Sequence, residues 1–278
     1  MRLPRHAANL AVCLAVGVLA TLGLEALAQA QAPQAAPAAG ASTKTWVGRA
    51  AEFEAYLKTA EVVKVEDIGV GVTKPKRAHL APGGLCESAA WKPIRPGMYS
   101  GFWESYKAEI AAYEIDKLLG LDMVPPTVEK RVNNDTGAAI QWVEQTRSFK
   151  QLGGVPQPPP ASFDSFNRQM ARAKMFDNLI GNRDPNLGNW LVDPAWNLVL
   201  IDHTRALTNF NDRVHKLQRI DAALWEKMQG LTEEALAAAV GPWLGGREIK
   251  AILERRKRMA ADIEQLVKEK SEAEVFFR

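Results

Sequence analysis

The stretch of sequence that decides the fold is Gly181-Asn182-Arg183-Asp184-Pro185-Asn186-Leu187-Gly188-Asn189, with Ile201-Asp202-His203 beginning twelve residues after its end. Polar residues that lie between strongly apolar runs, as these do, are typical of loops held on a rigid scaffold. The residues between the two stretches have the pattern of two short strands joined by a turn at Asp193-Pro194. Because a hairpin returns the chain to the edge where it began, the sequence predicts that Asn189 and Asp202 lie close together.

Three of these residues have the chemistry of a metal and phosphate site. Asp202 would supply a charged oxygen and Asn189 a carbonyl oxygen, both hard ligands suited to Mg²⁺ or Mn²⁺. Asp184 would face an incoming hydroxyl as a base or orienting group. Each residue alone also has an ordinary explanation, since an Asp before Pro is a common turn former. The spacing of all three matches the kinase catalytic loop, D-x-x-x-x-N, followed by a hairpin and a metal-binding Asp.

The first half of the chain offers two further candidates for binding phosphate. Gly69 and Gly71 would let backbone N–H groups approach phosphate oxygens without a Cβ clash, although a Gly-x-Gly is more often a plain turn. The third glycine of a phosphate-binding loop is replaced here by Lys74. Lys92 follows an apolar run on a predicted strand, from which it could reach the α- and β-phosphates. An edge-strand lysine that discourages aggregation is the alternative.

A carboxylate partner for Lys92 is expected on the next helix, predicted over Tyr106–Leu119 with Gly120 as its C-terminal cap. Glu114 borders the apolar stripe of this helix, and Glu109 lies on its flank. Periodicity leaves both residues open as the partner.

The amino terminus has the pattern of a signal peptide. Residues 1–30 hold a short basic region, a 15-residue apolar run and the small-x-small sequence Ala28-Gln29-Ala30. Fifteen helical residues rise about 22 Å, less than the roughly 30 Å hydrocarbon core of a bilayer. We therefore expect an exported, periplasmic protein that is cleaved after Ala30 and then has no membrane span. An uncleaved signal anchor is the alternative.

The remaining residues predict an α+β fold with two lobes. Residues 31–45 are rich in Ala and Pro and predict a disordered linker. Residues 46–152 predict a small β-rich lobe with one helix, and residues 161–278 a larger, mostly helical lobe. Between them, residues 153–160 hold four prolines and form a linker.

Composition excludes several other classes of protein. The 278 residues contain two Cys, which excludes a disulfide framework and a cysteine-based zinc cluster. The formal net charge of +3 predicts no nucleic-acid partner. The basic run Arg255-Arg256-Lys257-Arg258 lies in a helical pattern and is interpreted as a solvated helix face. Oligomeric state has no signal in the sequence.

Several runs carry a resemblance to a known family. They are Ala108-Glu109-Ile110-Ala111-Ala112-Tyr113, Ile115-Asp116-Lys117-Leu118-Leu119-Gly120, Val124-Pro125-Pro126, Phe176-Asp177-Asn178-Leu179-Ile180-Gly181-Asn182-Arg183-Asp184 and Ile201-Asp202-His203-Thr204-Arg205. Together they resemble the atypical kinases of the secretory pathway, the Golgi casein kinase family. They resemble the phosphatidylinositol 3-/4-kinases and the HipA-type kinases more distantly.

The resemblance implies a bilobal kinase-like fold with ATP and Mg²⁺ or Mn²⁺ in the cleft. By position, Lys92 would hold the phosphates, and Glu109 rather than Glu114 would pair with Lys92 or approach the metal. Asp184 would be the catalytic Asp.

The resemblance also implies that Asn189 and Asp202 are the metal ligands, and that Gln141 to Glu144 form the hinge against the adenine. Two departures are visible. Pro185-Asn186 stands where relatives often carry a basic residue and His, and His203-Thr204 replaces the Phe-Gly of ordinary protein kinases.

These inferences predict a phosphotransferase that moves the γ-phosphoryl group of ATP to a hydroxyl on a protein, glycan, lipid or small molecule. Two alternatives remain. One is a pseudokinase that binds nucleotide without transfer, since an exported bacterial protein meets little ATP. The other is nucleotidyl transfer at the same site.

Overall fold

A computed structural model describes residues 40–69 and 75–277. The predicted signal peptide and Gly71 lie outside the described residues. Residues 40–45, assigned above to the linker, lie against the folded chain: the Thr43 amide donates to Asp193 Oδ2 at 2.9 Å, and the Gly40 amide donates to the Pro194 carbonyl at 2.9 Å. These hydrogen bonds to residues some 150 positions away fix the end of the segment assigned to the linker.

The described residues contain seven α-helices and one short 3₁₀ helix, Pro160–Ser162. The helices are α1 Ala50–Thr59, α2 Tyr106–Leu119, α3 Phe163–Ile180, α4 Ala222–Gln229, α5 Glu233–Val240, α6 Gly246–Glu269 and α7 Glu272–Val275. The strands are β1 Val62–Asp67, β2 Lys76–Leu80, β3 Ser88–Lys92, β4 Gly97–Tyr99, β5 Phe102–Glu104, β6 Thr127–Val132, β7 Asp135–Gln141, β8 Arg147–Ser148, β9 Trp190–Val192, β10 Leu198–Leu200, β11 Ile220–Asp221 and β12 Phe276–Phe277.

The main sheet has five strands in the order β1-β2-β3-β7-β6, and every pair is antiparallel. Alternation along each strand gives the sheet two different faces. Ala138 and Ile140 of β7 pack with Tyr106 and Ile110 of α2 on one face. On the opposite face, the buried residues include Leu57 of α1 packed with sheet residues such as Ala139. Strand β3, which carries Lys92, therefore lies in a sheet that is covered on both sides.

Helix α2 connects the sheet to the helical part of the chain. Ser105 caps its start, where the Ser105 side chain accepts from the Lys107 amide, and Gly120 ends it with φ 60°. A left-handed residue at this position suits glycine, which has no Cβ. Ala111, Ile115 and Leu119 of α2 belong to the same buried cluster as many residues of α3 and α6. The bounds of α2 agree with the prediction.

The second half of the chain is mostly helical, as predicted, and the α+β fold class is confirmed. Helix α3 packs against α6. The predicted hairpin forms from β9 and β10, with Leu200 opposite Trp190. No helix among the described residues combines the length and apolar character needed to cross a membrane.

The structure also contains elements that the pattern did not predict. The described part of residues 46–152 contains two helices, α1 and α2, whereas the sequence predicted one. Helix α1 buries only Phe53 and Leu57, and an apolar stripe this short is a weak helical signal in the sequence. The hairpin of β4 and β5 precedes α2. Strands β11 and β12 are two residues each and pair in parallel across more than fifty residues of chain, which no local pattern can predict.

Candidate active site

A buried lysine between two carboxylates forms the centre of the site. Lys92 Nζ lies 2.6 Å from Glu109 Oε1 and 2.8 Å from Asp202 Oδ1. Lys92 is 5% exposed and Glu109 2% exposed. The alternative partner, Glu114, instead pairs with Lys117 at 3.0 Å. The structure thus brings Lys92, Glu109 and Asp202 together, and the choice that periodicity left open goes to Glu109.

The charges of this cluster stabilise one another. Burial by itself lowers the pKa of Lys92, but the carboxylates of Asp202 and Glu109 more than offset it and raise this pKa above its usual value. Burial raises the pKa of Glu109, and the opposing effects of Lys92 and of hydrogen bonding from His203 bring it below its usual value. Lys92 and Glu109 are therefore both charged near neutral pH. The cluster combines one ammonium group with two carboxyl groups, a composition that suits the binding of a cation.

Asp202 is held by the turn that follows β10. Its backbone has φ 63°, in the left-handed region that a non-glycine residue seldom occupies. The Thr204 hydroxyl donates to Asp202 Oδ1 at 3.1 Å, and the His203 amide donates to Glu109 Oε2 at 3.0 Å. Strained backbone of this kind is tolerated where surrounding contacts fix it, and it is common at active sites. The turn aligns Asp202 with the buried lysine.

The catalytic-loop stretch folds back to the same place. The Ile201 amide donates to the Asn189 carbonyl at 3.0 Å, so Asn189 lies beside the residue that precedes Asp202. This contact agrees with the return of the hairpin that the sequence predicts. The side chain of Asn189 donates through Nδ2 to the Asp184 carbonyl at 3.0 Å. Asp184 and Asn189 are thus fixed to each other within one loop.

The Asp184 carboxylate is hydrogen-bonded on both oxygens. Asn186 Nδ2 donates to Oδ1 at 2.8 Å, and Arg205 Nη1 donates to Oδ2 at 3.2 Å. Arg205 also pairs with Glu104 at 2.8 Å. Sequence reasoning missed Arg205 and Glu104, although Arg205 ends the run Ile201-Asp202-His203-Thr204-Arg205, three residues after Asp202.

Buried polar residues at the end of α3 support the loop from below. Asp177 accepts from Asn182 Nδ2 at 2.9 Å and contacts His215 Nε2 at 2.9 Å. The Asp184 amide in turn donates to Asn182 Oδ1 at 3.1 Å. Asp177 and Asn182 lie in a run that carries the family resemblance, but no pattern in the sequence indicated their supporting role.

The interpretation of the basic run that begins at Arg255 as a solvated helix face is wrong for Arg255 itself, which lies on α6. Arg255 is 1% exposed, and its guanidinium donates to the Leu179 carbonyl at 2.7 Å and to the Thr208 carbonyl at 3.0 Å. Burial lowers its pKa to about 10. The charge lies inside because it satisfies carbonyl groups at the end of α3 and in the segment after Asp202, a role that helical periodicity does not reveal.

The segment predicted as the adenine hinge begins at the end of β7. Gln141 lies on the same sheet face as Ala139, opposite to Lys92, and its Nε2 donates to Thr45 Oγ1 at 3.1 Å. The contact of Gln141 to Glu144 with adenine stays a prediction. Glu144 pairs with Arg77. Gly69 has φ 69° and open space around the position of a Cβ, which agrees with a turn.

The oxygen atoms that remain fit a divalent cation. Among the described residues, Asp202 Oδ2 and Asn189 Oδ1 have no hydrogen-bond partner. Within the same part of the chain there is no group of three or more His, Cys, Asp or Glu suited to a metal. Mg²⁺ commonly takes only one or two protein oxygens, and substrate phosphates and water complete its coordination. Asn189 and Asp202 fit that donor set.

Comparison with solved structures identifies the family of folds to which this chain is similar. No protein-family model and no curated protein matches the sequence. Among solved structures, the Golgi casein kinase with Mn/ADP bound superposes with a TM-score of 0.63 at 14% identity, covering 82% of this chain and 78% of that one. Hydra Fam20 with sugar gives 0.62 at 14% identity, with 88% and 96% covered. The Helicobacter pylori proinflammatory kinase CtkA gives 0.50 at 13% identity, with 76% and 95% covered.

Identity this low defines a fold rather than an activity. The helix that carries Glu109 and the hairpin that precedes Asp202 are parts that the sequence analysis predicted. The chain has the fold of the atypical kinases that include the Golgi casein kinase and hydra Fam20.

Proposed function

We propose that this chain is an ATP-dependent phosphotransferase that moves the γ-phosphoryl group to a hydroxyl acceptor. The observation that carries the proposal is the buried cluster of Lys92 between Glu109 and Asp202, at 2.6 and 2.8 Å. Burying the charges of Lys92 and Glu109 is costly unless each is paired, and buried charge clusters of this kind are often found at functional sites. The kinase identity of the structural neighbours supports the same chemistry.

Lys92 is the group proposed to bind the α- and β-phosphates of ATP. Its ammonium is held by Glu109 from α2, so its position does not depend on nucleotide. A prepositioned cation loses little conformational entropy when the phosphates arrive. Asp202 would hold Mg²⁺ or Mn²⁺ together with Asn189. The bound cation would neutralise charge on the phosphate oxygens.

Asp184 is the group proposed to orient the acceptor hydroxyl. Its side chain is 32% exposed, in contrast to the buried Lys92, so an acceptor can reach it. The hydroxyl oxygen forms a bond to the γ-phosphorus, and the bond from that phosphorus to the bridging β–γ oxygen breaks, which releases ADP. The hydroxyl proton passes to the Asp184 carboxylate. The protein's contribution is therefore positioning and charge stabilisation.

Mass spectrometry of reaction products tests this function. The mature protein is incubated with ATP, Mn²⁺ and an extract of candidate acceptors, and the Asp202→Ala variant is the matched control. Phosphoryl transfer adds about 80 Da to the acceptor, whereas adenylyl transfer adds roughly 330 Da. We expect the smaller addition, and only with the wild-type protein. An adenylyl product, or nucleotide binding with no transfer to any acceptor, would overturn the proposal in favour of nucleotidyl transfer or a pseudokinase.

The location of this activity is also part of the proposal. The basic start, the apolar run and Ala28-Gln29-Ala30 support export to the periplasm and cleavage after Ala30. The acceptor would then be a hydroxyl-bearing molecule outside the cytoplasm. The protein, glycan, lipid and small-molecule classes all remain candidates.

A further inference from the structure

A second chain of charges leads from the β4–β5 hairpin to the proposed catalytic Asp. Arg205 donates through Nε to Glu104 Oε1 at 2.8 Å, and its Nη2 lies 2.8 Å from the same oxygen. Its third nitrogen, Nη1, donates to Asp184 Oδ2 at 3.2 Å. A planar guanidinium can make both contacts at once, which an ammonium group cannot do in the same geometry. Arg205 thus bridges two carboxylates that lie eighty residues apart in the sequence.

The Glu104 end of this bridge is fixed. The Glu104 side chain is 3% exposed. Two residues before it, the centroid of the Phe102 ring lies 4.4 Å from the guanidinium carbon of Arg205. The next residue, Ser105, donates its amide to the Thr204 carbonyl at 3.0 Å, which joins the start of α2 to the segment that carries Arg205. The Arg205 side chain is 12% exposed. Its orientation is therefore determined by packing and not by Asp184 alone.

The Asp184 end has little other support. Among the described residues, every other hydrogen bond of Asp184 comes from within its own loop, from Asn182, Asn186 and Asn189. No basic side chain follows Asp184 in that loop. Pro185-Asn186 occupies the place where relatives often carry a basic residue. Arg205 is thus the contact through which the rest of the fold fixes the Asp184 carboxylate.

We propose that Arg205, anchored by Glu104, is a positioning residue that holds the Asp184 carboxylate in the orientation needed to receive the acceptor hydroxyl. This inference rests on the proposed function, since it assigns Arg205 a role through Asp184. A carboxylate bonded through one oxygen to a local Asn can still rotate, whereas a second bond to a fixed guanidinium restricts that rotation. Small displacements of a catalytic group are known to cost rate steeply.

The test measures metal-dependent ADP release from ATP, with water as the acceptor, alongside the dissociation constant for ADP with Mn²⁺. In Arg205→Ala we expect turnover to fall about tenfold or more, because displacement of a catalytic group can cost about 100-fold. We expect the dissociation constant to stay within about twofold, because no Arg205 contact reaches Lys92 or Asp202. Arg49→Ala, which removes an exposed pair with Glu52, is the matched control and should change neither value.

A double variant separates positioning from an independent effect. If Arg205 acts through Asp184, Arg205→Ala should cause no further loss in an Asp184→Asn background. A loss in that background as large as in the wild type would overturn the inference.

Arg205→Lys covers the case in which the Ala variant does not fold, since removing one partner of a buried pair is destabilising. The ammonium still pairs with Glu104 but cannot bridge to Asp184, so turnover should again fall about tenfold. A folded Lys variant with wild-type turnover would overturn the inference and leave the proposed function intact. A wild-type protein that transfers no phosphoryl group from ATP, either to water or to an acceptor, would overturn both.

Discussion

Glu109→Gln removes one charge from the buried cluster while it keeps the size of the side chain. Glu109 is 2% exposed and contacts Lys92 at 2.6 Å, and its second oxygen accepts from the His203 amide at 3.0 Å. Breaking a buried ion pair by removing one partner costs about 3–5 kcal/mol. Lys92 keeps Asp202 as a second partner, so we expect the lower end of that range. For a chain of this size, 3 kcal/mol lowers the melting temperature by about 6–12 °C.

Glu114→Gln is the matched control on the same helix. Glu114 pairs with Lys117 at 3.0 Å, and both side chains are partly exposed. Exposed and half-exposed pairs contribute about 0–1 kcal/mol, so this variant should melt within about 4 °C of the wild type. The two variants differ in the location of the carboxylate and not in its chemistry. The comparison therefore isolates the effect of burial beside Lys92.

The effect of Glu109→Gln should also depend on pH. The pKa of Glu109 is lower in the folded protein than its usual value of 4.5 because of Lys92 and His203, although burial opposes them. Its ionised form therefore contributes stability above pH about 4.5, and that contribution is lost as the pH falls towards the folded pKa. Lys92, with a raised pKa, stays charged throughout this range. The difference in free energy of unfolding between wild type and variant should be constant from about pH 5 to 8 and shrink below it.

Denaturant unfolding followed by circular dichroism, repeated between pH 3 and pH 8, measures this difference. The reasoning is refuted if Glu109→Gln and Glu114→Gln unfold at the same midpoint at neutral pH. It is also refuted if the loss in the Glu109 variant persists undiminished at pH 3.

Three further predictions can be checked with standard measurements. Asp202→Ala should abolish metal-dependent ATP turnover while the melting temperature shows a folded protein; turnover like that of the wild type would contradict its role as a metal ligand. Arg255→Ala should lower the free energy of unfolding by about 3 kcal/mol, because it leaves buried carbonyl groups unpaired, whereas the exposed Lys257→Ala should change it by less than about 0.5 kcal/mol. Mass spectrometry of the exported protein should find an amino terminus at Gln31, and an intact residue 1 on the exported chain would contradict cleavage after Ala30.

Local pattern was sufficient to predict the elements that carry the site. The apolar spacing and the terminal glycine, Gly120, predicted α2 with its observed bounds. The turn at Asp193-Pro194 predicted the hairpin that returns Asp202 to Asn189. These features depend on residues a few positions apart, for which caps, periodicity and turn chemistry act directly.

The partners of individual side chains required the tertiary structure. Periodicity placed Glu109 and Glu114 on one helix, but only the packing of α2 against β6 and β7 of the sheet directs Glu109 to Lys92. Gln141 was placed at the hinge, but the pleat of β7 directs its side chain to Thr45 on the opposite face.

The sequence by itself determined the α+β class, helix α2 and the hairpin before Asp202, and it pointed to Lys92, Glu109 and Asp202 as neighbours in one site. Tertiary structure alone decided that Arg205 joins Glu104 to Asp184 and that Arg255 is buried beneath the end of α3. The physical reason is distance along the chain. A contact between residues eighty positions apart depends on how whole elements pack. The local sequence around each residue does not identify which distant residues will pack against it.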